Sequence, residues 1–270
     1  MVIAFHIMMF ILGCVFGSFL CCEARRLHLP SSRRKSLGNR SVCLSCGHKL
    51  SWYENIPVFS WILLKGKCKN CGKKIGTLEL FSELGIGLSF LAVSFTLDSS
   101  SLFNSISVIS FILTLLLVSS FGFLAIYDGA YGELPNFAIT ISLVLAGILV
   151  ALKYWSAFSV SEFSELTVLD TLLSCLVLGG TYLVLYLCSK GKWVGDGDWL
   201  LGLIIGLVLS SPFLSLLVLF LTNFLACLYA LPTLSRNKKR KVYLAPFFFA
   251  AFIIVLTFSS PLTLLMRSII

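Results

Sequence analysis

Long apolar runs alternate with short polar connections along the chain, and one longer polar segment interrupts this pattern near the N-terminus. A helix needs about 20 apolar residues to cross the hydrocarbon core of a bilayer. The pattern therefore predicts an all-α polytopic membrane protein with about eight transmembrane helices, of which the sixth is short. The apolar runs are residues 2–22, 79–97, 102–127, 136–152, 168–188, 199–210, 212–232 and 245–266.

The first run, residues 2–22, is expected to stay in the protein as a helix. A cleavable signal peptide has a basic segment before its apolar core and a cleavage site of small residues after it. Neither feature flanks this run. We therefore divide the chain into a first transmembrane helix at 1–22, a polar cytoplasmic insert at 23–78 and a membrane domain at 79–270.

Composition and charge agree with a membrane protein: 58% of the residues are hydrophobic and 12% are charged, with a mean hydropathy of +0.97. Apart from Lys153 and Arg267, every Lys and Arg lies in 25–74, 190–192 or 236–241. With about eight spans and an outer N-terminus these segments share one side, which the positive-inside rule makes cytoplasmic. The net charge of +9 thus sets topology and attracts anionic membrane lipid, and it does not indicate nucleic acid.

Two CxxC pairs lie in the polar insert: Cys43 with Cys46, and Cys68 with Cys71. Two such pairs at this spacing are typical of a tetrahedral four-thiolate site for zinc, or for iron in the same cage. Two disulfides and thiol redox chemistry are the alternatives, but a cytoplasmic face is reducing and disfavours disulfides. Because four protein thiolates leave no open coordination position, the sequence predicts a structural metal in a small zinc-ribbon-like insert.

Two aspartates occupy predicted helix ends on the cytoplasmic side. Asp128 closes the third apolar run, and Asp198 precedes the sixth. An ionisable residue at membrane depth is a functional candidate when it faces a wet cavity. If the two carboxyl groups come close, they share a proton and can act as general base and general acid on an amide bond, as in aspartic proteases. The alternatives are a helix cap at Asp198 and a solvated loop acid at Asp128.

Several motifs in the same order resemble those of the type IV prepilin peptidases. They are "GSFL" at 17–20, "CLSC" and "CKNC" in the insert, "YENIPVFSWILLKGKC" leading into the second pair, Asp128 followed by "LPN", and "GDGD" at 195–198. The resemblance implies a membrane-embedded aspartic endopeptidase of the GxGD type, with Asp128 and Asp198 as the catalytic pair. Gly195 and Gly197 belong to the motif, whereas Asp196 occupies its variable position and is not expected to be catalytic.

The activity of this family gives further expectations. Its members remove the short basic leader of type IV prepilins or pseudopilins at the cytoplasmic face of the bacterial plasma membrane. Many then N-methylate the new terminal residue with S-adenosylmethionine, and a cysteine-rich insert is associated with those bifunctional members. The forms "GSFLCCEARR" and "SWYENIP" are most similar to versions that serve competence pseudopilins in Gram-positive bacteria. The chain departs from the usual pattern at Cys21, Cys22 and Leu200, and in "APFFF".

A basic leader requires acidic contacts on the protein. We predict that the nearest cytoplasmic acids bind it: Glu133, Glu54, Glu79 and Glu83. The last two could equally anchor the start of the second helix.

Two other classes of protein stay open. One is a cation-coupled transporter or channel with Asp128 and Asp198 as ion ligands. The other is a metal-containing membrane scaffold without activity. The transporter is disfavoured because both acids lie at the cytoplasmic ends of predicted helices rather than in mid-bilayer, and no inverted repeat is visible in the sequence.

Overall fold

The computed structural model describes residues 2–30, 41–43, 45–97, 104–159, 165–236, 242–259 and 262. This part of the chain is nearly all helical and contains no strand, which confirms the all-α prediction. A π-helical turn, Leu176–Gly180, joins α6 to α7. The helices are α1 (Val2–His28), a 3-10 turn (Trp52–Asn55), α2 (Phe59–Leu63), α3 (Thr77–Ser94), α4 (Ser105–Tyr131), α5 (Asn136–Ser159), α6 (Glu165–Cys175), α7 (Thr181–Ser189), α8 (Asp198–Leu209), α9 (Pro212–Arg236) and α10 (Ala245–Thr257).

Six helical stretches in the described residues are long and apolar enough to cross a membrane: α1, α3, α4, most of α5, Val168–Ser189 and Pro212–Leu231. The helices α8 and α10 are apolar but shorter, with 12 and 13 residues. At about 1.5 Å per residue they are roughly 20 Å long, less than the hydrocarbon core of a bilayer. Each apolar run in the sequence thus corresponds to an apolar helix, and the chain is an integral membrane protein.

Some of the sequence predictions fall on residues outside the described ranges. These are the basic residues within 31–40 and 237–241, and parts of the third and eighth apolar runs at 102–103, 260–261 and 263–266.

The chain divides into two compact units, residues 1–94 and 95–270. In the first unit, α1 and α3 pack closely because glycines lie at their contact. A Cβ atom added to Gly13 would lie 2.8 Å from the Cα atom of Gly87, and one added to Gly17 would lie 2.8 Å from the Cα atom of Glu83. Small residues allow membrane helices to approach in this way, and a larger residue would push the backbones apart.

The insert of the first unit contains two similar turns, one around each CxxC pair. Gly47 and Gly72 follow the second cysteine of each pair and adopt φ values of +71° and +68°. This left-handed conformation favours glycine, because a side chain would clash with the backbone. The turns are closed by two isolated antiparallel bridges, Val42 with Lys49 and Lys67 with Lys74. The repeated local geometry directs both cysteine pairs to one point.

In the second unit, α8 packs against the π-helical turn between α6 and α7. A Cβ atom added to Gly202 would lie 3.1 Å from the backbone nitrogen of Gly179, and one added to Gly206 would lie 2.8 Å from the carbonyl oxygen of Ser174. The hydroxyl of Ser174 donates a hydrogen bond to the carbonyl of Gly206 at 2.8 Å. This close packing holds α8, and therefore Asp198 at its start, against the neighbouring helix.

The last turn of α4 is fixed against the segment that leads into α10. Gly132 ends α4 with φ +71°, and its N–H donates to the carbonyl of Asp128 at 2.7 Å. The ring of Tyr243 covers this glycine so closely that any Cβ atom there would collide with it. Deeper in the unit, the rings of Phe121 and Phe252 pack with their centroids 5.9 Å apart. The end of α4 and the start of α10 are therefore held together.

Candidate active site

Asp128 lies in the last turn of α4 and is 6% exposed. Its Oδ2 atom accepts a hydrogen bond from the backbone N–H of Ala245 at 3.1 Å. Ala245 is the first residue of α10, and the N-terminus of a helix carries unpaired N–H groups that favour negative charge. The carboxyl group of Asp128 is therefore oriented by the start of a second helix.

Asp198 begins α8 and is 7% exposed. Its Oδ2 atom accepts a hydrogen bond from the backbone N–H of Gly195 at 2.8 Å, which closes the GDGD segment into a turn. Gly197 lies against Leu134, since a Cβ atom added to this glycine would be 2.5 Å from the Cδ1 atom of the leucine. Asp196 is exposed. The turn therefore buries one of its aspartates and leaves the other in solvent.

The two buried carboxyl groups lie close enough to interact electrostatically. The contact between Leu134 and Gly197 brings the connection after α4 against the turn before α8. Two acids that are far apart in the sequence thus lie in one region of the second unit. The structure brings together Asp128 and Asp198, while their catalytic role stays a prediction.

Neither of the alternative structural roles fits the two acids. The N-cap of α8 is Gly197, and the carboxyl group of Asp198 bonds back to Gly195 rather than capping the first turn. Asp128 is buried within α4 and is not a solvated loop acid. Burying two acids costs free energy unless their environment compensates, so a site that contains both requires a reason beyond helix capping.

Sequence reasoning missed two polar residues near this pair. Tyr182 is 2% exposed and lies within electrostatic range of Asp198. Its hydroxyl accepts a hydrogen bond from the Nδ2 group of Asn223 at 2.9 Å, and its ring packs on Phe248 with a centroid distance of 4.9 Å. Each residue follows a threonine, Thr181 or Thr222, within an apolar run, and such polar interruptions were the only available signal.

The four predicted metal ligands, Cys43, Cys46, Cys68 and Cys71, come together in the insert. Their sulfur atoms all lie within 4.8 Å of one another. The Sγ atoms of Cys43 and Cys71 are 3.9 Å apart, and those of Cys46 and Cys68 are 4.0 Å apart. A tetrahedral zinc ion with Zn–S bonds of about 2.3 Å requires sulfur atoms about 3.8 Å apart. The cluster therefore fits one tetrahedral metal ion, and all the cysteines of the chain are free rather than disulfide-bonded.

The electrostatics of the cluster also favour a cation. Burial raises the pKa of the Cys43 thiol, but hydrogen bonds from the backbone N–H groups of Ser45 and Cys46 and from neighbouring thiols outweigh it and lower this pKa to about 6. A thiolate is the form of cysteine that binds metal. The turn therefore stabilises the ligand state of at least one member of the cluster before a metal arrives.

The predicted leader-binding acids fall into two groups. Glu133 is exposed in the connection after α4. The other three have partners inside the first unit: Glu54 accepts from the N–H of Ser51 at 2.7 Å, Glu83 accepts from the N–H of Val58 at 2.7 Å, and Glu79 pairs with Arg25. The last two acids thus connect α3 to other parts of the unit, as the alternative interpretation expected. Contact of any of the four with a leader stays a prediction.

The structure thus combines apolar helices long enough to cross a membrane with a pair of buried aspartates and a cluster of four cysteines. The family model of the bacterial peptidase A24 N-terminal domain matches residues 11–97. Curated relatives that share one name match a longer part of the chain, and one of them covers 88% of it. The chain is therefore similar to the prepilin leader peptidases over most of its length.

Three relatives, each named prepilin leader peptidase/N-methyltransferase, show how far the similarity extends. The protein of Myxococcus xanthus is 42% identical over 88 residues, which cover 33% of this chain and 25% of the relative. That of Dichelobacter nodosus is 32% identical over 172 residues, 63% of this chain and 55% of the relative. That of Bacillus subtilis is 26% identical over 243 residues, 88% of this chain and 87% of the relative. The chain thus spans about half or less of the length of the first two relatives. No solved structure matches it.

Proposed function

We propose that the chain is an aspartic endopeptidase that removes the short basic leader of type IV prepilins or pseudopilins and then N-methylates the new terminal residue. The observation that carries this proposal is the pair of buried, interacting carboxyl groups of Asp128 and Asp198. The shared name of the relatives, prepilin leader peptidase/N-methyltransferase, supports the substrate and the second activity.

In the proposed mechanism the pair holds one proton. Two carboxyl groups close together cannot both ionise cheaply, so one stays protonated. The ionised partner takes a proton from water, which attacks the scissile carbonyl, and the protonated partner gives its proton to the leaving amine. The N–H groups of Ala245 and Gly195 each hold one carboxyl oxygen in place. This fixed orientation means that little reorganisation is needed when the reaction begins.

We place the cleavage at the cytoplasmic face of the bacterial plasma membrane. The distribution of Lys and Arg supports this orientation, because the basic segments fall on the side where the two aspartates are predicted. The apolar helix of the prepilin would lie among the spans, and its basic leader would stay in the cytoplasm near acids such as Glu133. Residues 79–270 would carry the peptidase activity, and competence pseudopilins are the substrate class that the sequence of the insert favours.

The four-cysteine centre would hold zinc as a structural ion, since its four sulfur atoms complete a tetrahedron and leave no position for substrate. S-adenosylmethionine supplies the methyl group for the second activity.

The test is to incubate the purified full-length protein in detergent with a prepilin and to measure the mass of the product. We expect a loss equal to the leader and, with S-adenosylmethionine present, a gain of one methyl group. The variants Asp128→Asn and Asp198→Asn should each lower the cleavage rate by about 1000-fold or more, because a neutral amide can neither accept nor supply the shared proton.

The variant Asp196→Asn is the matched control, because this aspartate lies in the same turn but is exposed. It should cleave at the rate of the unaltered protein. Full cleavage by Asp128→Asn or Asp198→Asn would refute the mechanism. Equal losses of cleavage rate in all three variants would show that the activity depends on negative charge in this region rather than on a catalytic pair.

A further inference from the structure

Tyr182 is a buried polar residue of the second unit that the proposed mechanism does not use. It lies in the first turn of α7 and is 2% exposed. A hydroxyl group that is buried among apolar helices costs free energy unless it forms hydrogen bonds. In the described part of the chain this hydroxyl forms one, which it accepts from Asn223. Its position relative to the two acids suggests a use for the proton that it retains.

The packing of α8 places Tyr182 at the level of Asp198. The contact between Gly202 and Gly179 fixes the register between α8 and the segment that leads into α7. The two segments are antiparallel, because the next contact along α8 is with residues before Gly179. One turn from this contact in the other direction lie Asp198 on α8 and Tyr182 on α7. The two residues are accordingly within electrostatic range of each other.

The ring of Tyr182 also contacts the helix that orients the other acid. Its centroid lies 4.9 Å from that of Phe248 on α10. The first residue of the same helix, Ala245, donates its N–H to Asp128. The tyrosine thus packs between α8, which begins with one acid, and α10, whose first N–H holds the other. Because packing fixes the ring, the hydroxyl group has a defined position beside the pair.

Asn223 determines the direction of the hydroxyl proton. Its Nδ2 atom is 2.8 Å from the carbonyl oxygen of Leu219 and 2.9 Å from the hydroxyl oxygen of Tyr182. A carbonyl oxygen can only accept, so the amide atom beside it is the nitrogen, and the tyrosine oxygen accepts from that same nitrogen. The hydroxyl therefore keeps its own proton for a different acceptor, and the described residues supply none.

The proposed reaction creates an acceptor in this region. Addition of water places negative charge on the oxygen of the scissile carbonyl. The backbone donors next to the acids are already in use, since the N–H of Ala245 holds Asp128 and the N–H of Gly195 holds Asp198. A fixed donor that is aimed at developing charge stabilises it strongly, because no reorganisation is needed during the reaction.

We propose that Tyr182 is a third catalytic residue, whose phenolic O–H donates a hydrogen bond to the carbonyl oxygen of the scissile bond, and that Asn223 is a positioning residue for it. The inference rests on the proposed endopeptidase function and adds a donor to its mechanism. The phenol keeps its proton throughout. Its hydrogen bond strengthens as the carbonyl oxygen gains negative charge, and it weakens again when the amide bond breaks.

The first experiment measures the cleavage of a prepilin by Tyr182→Phe, which removes the hydroxyl but retains the ring that packs on Phe248. We expect kcat to fall by about 100-fold, as for the loss of one donor to a developing oxyanion. KM should stay within about twofold, because the contact strengthens only in the transition state. The pH dependence of kcat should keep its form. A displaced pH dependence would mean that Tyr182 acts through Asp198, and it would overturn the proposal.

The matched control for this substitution is Tyr154→Phe. The hydroxyl of Tyr154 donates to Thr171 at 2.6 Å and so joins α5 to α6 in the same unit. At about 1.5 Å per residue, Tyr154 lies roughly 27 Å along α5 from Asn136. This variant should retain the kcat of the unaltered protein. Equal losses in the two tyrosine variants would show that the hydroxyl of Tyr182 only joins helices, and the proposal would be wrong.

The second experiment compares two prepilin peptides that cannot be cleaved. In one, a difluoroketone replaces the scissile amide, and its hydrate has one hydroxyl in the place of the attacking water and one in the place of the carbonyl oxygen. In the other, a hydroxyethylene group has only the hydroxyl that replaces the water. Tyr182→Phe should weaken binding of the difluoroketone by about tenfold and that of the hydroxyethylene peptide by less than about twofold.

Asn223→Leu should show the same selectivity with a smaller loss, about threefold, because the hydroxyl remains but loses the partner that directs it. Equal weakening of the two peptides by Tyr182→Phe, or no weakening of either, would overturn the proposal. Normal binding of both peptides by Asn223→Leu would show that Asn223 does not position the tyrosine.

The acid variants separate this inference from the endopeptidase proposal. If Asp128→Asn and Asp198→Asn lose cleavage while Tyr182→Phe retains the full rate, the acid pair is catalytic and the inference about Tyr182 is wrong. If both acid variants cleave normally, the endopeptidase mechanism is wrong, and the role of Tyr182 fails with it.

Discussion

The two units of the chain build their polar sites in opposite ways. In the first unit, four sulfur atoms converge because two short CxxC turns each fix their own pair, with glycines at Gly47 and Gly72 completing the turns. In the second unit, Asp128 and Asp198 come from helices that are distant in sequence, and they lie within electrostatic range of each other because α10 packs against both α4 and α8.

This difference determines what a single substitution can damage. A site made of local turns depends on a few residues and on the ion that joins them, because a small domain has little hydrophobic core of its own. A site made by packed helices depends on the close contacts that set their distance. Each unit should therefore fail by its own route, and failure of one site need not abolish the other.

Removal of the metal is the strongest way to separate the two units. We expect Cys68→Ser, or exhaustive chelation, to unfold the insert, because Cys68 is one of the four cysteines that come together there and a structural metal holds such small domains folded. Hydrogen exchange of the backbone amides in the insert should become faster by about 100-fold or more. Hydrogen exchange and metal analysis measure the two effects.

The matched control for this experiment is Cys227→Ser. This cysteine is exposed on α9 and lies outside the cluster, so the substitution should change neither the metal content nor the hydrogen exchange of the insert. Prepilin cleavage by the metal-free protein should persist, because both aspartates lie in the second unit. Complete loss of cleavage on metal removal would show that the sites are not independent.

The sequence predicted the local site better than the one formed by packing. The CxxC spacing identified the four cysteines that come together in the cluster, and apolar runs identified the helices. The sequence also singled out Asp128 and Asp198, but it contained no sign that the N–H of Ala245 would hold one of them, because that contact joins residues on two separate helices. Tyr182 was missed for the same reason, since its relation to Asp198 arises from packing.

A cavity of about 630 Å³ in the first unit was also invisible in the sequence. Glu79 and Glu83 were predicted there to bind the leader or to anchor the start of the second helix, and the cavity that they line appears only in the folded unit.

A smaller effect is expected at the glycine that allows the GDGD turn to approach the LPN segment. In Gly197→Ala the new methyl group would lie 2.5 Å from the Cδ1 atom of Leu134. The backbone of Gly197 is near the right-handed helical region, with φ −86°, so the substitution causes a steric conflict without backbone strain. A displacement of Asp198 by a fraction of an ångström should lower the cleavage rate by about tenfold.

Gly147→Ala is the control, because a Cβ atom at this position on α5 would meet nothing within 4 Å. It should leave the cleavage rate unchanged. The double variant Gly197→Ala with Leu134→Ala should recover much of the lost rate, since it removes the colliding side chain. If Gly197→Ala cleaves normally, or if the double variant shows no recovery, the turn does not depend on this contact.

The smallest predicted effect concerns the pH dependence of the insert. The N–H of Ser51, with a smaller contribution from His48, lowers the pKa of Glu54 in the folded insert below its unfolded value of about 4.5. The stabilisation of the folded insert by the Glu54 carboxylate is therefore present above that value and is lost as the pH falls through the folded pKa.

At pH 7, Glu54→Gln should raise the hydrogen exchange rate of the Ser51 amide by roughly threefold to tenfold, because a charge-assisted hydrogen bond becomes a neutral one. The ratio of the two exchange rates should approach one as the pH falls through the lowered pKa of Glu54. Taking this ratio at each pH removes the intrinsic pH dependence of exchange from the comparison. A ratio that stays constant from pH 7 to pH 3 would mean that the charge of Glu54 does not hold the start of the 3-10 turn, and that the local geometry of the insert is maintained by the metal cluster alone.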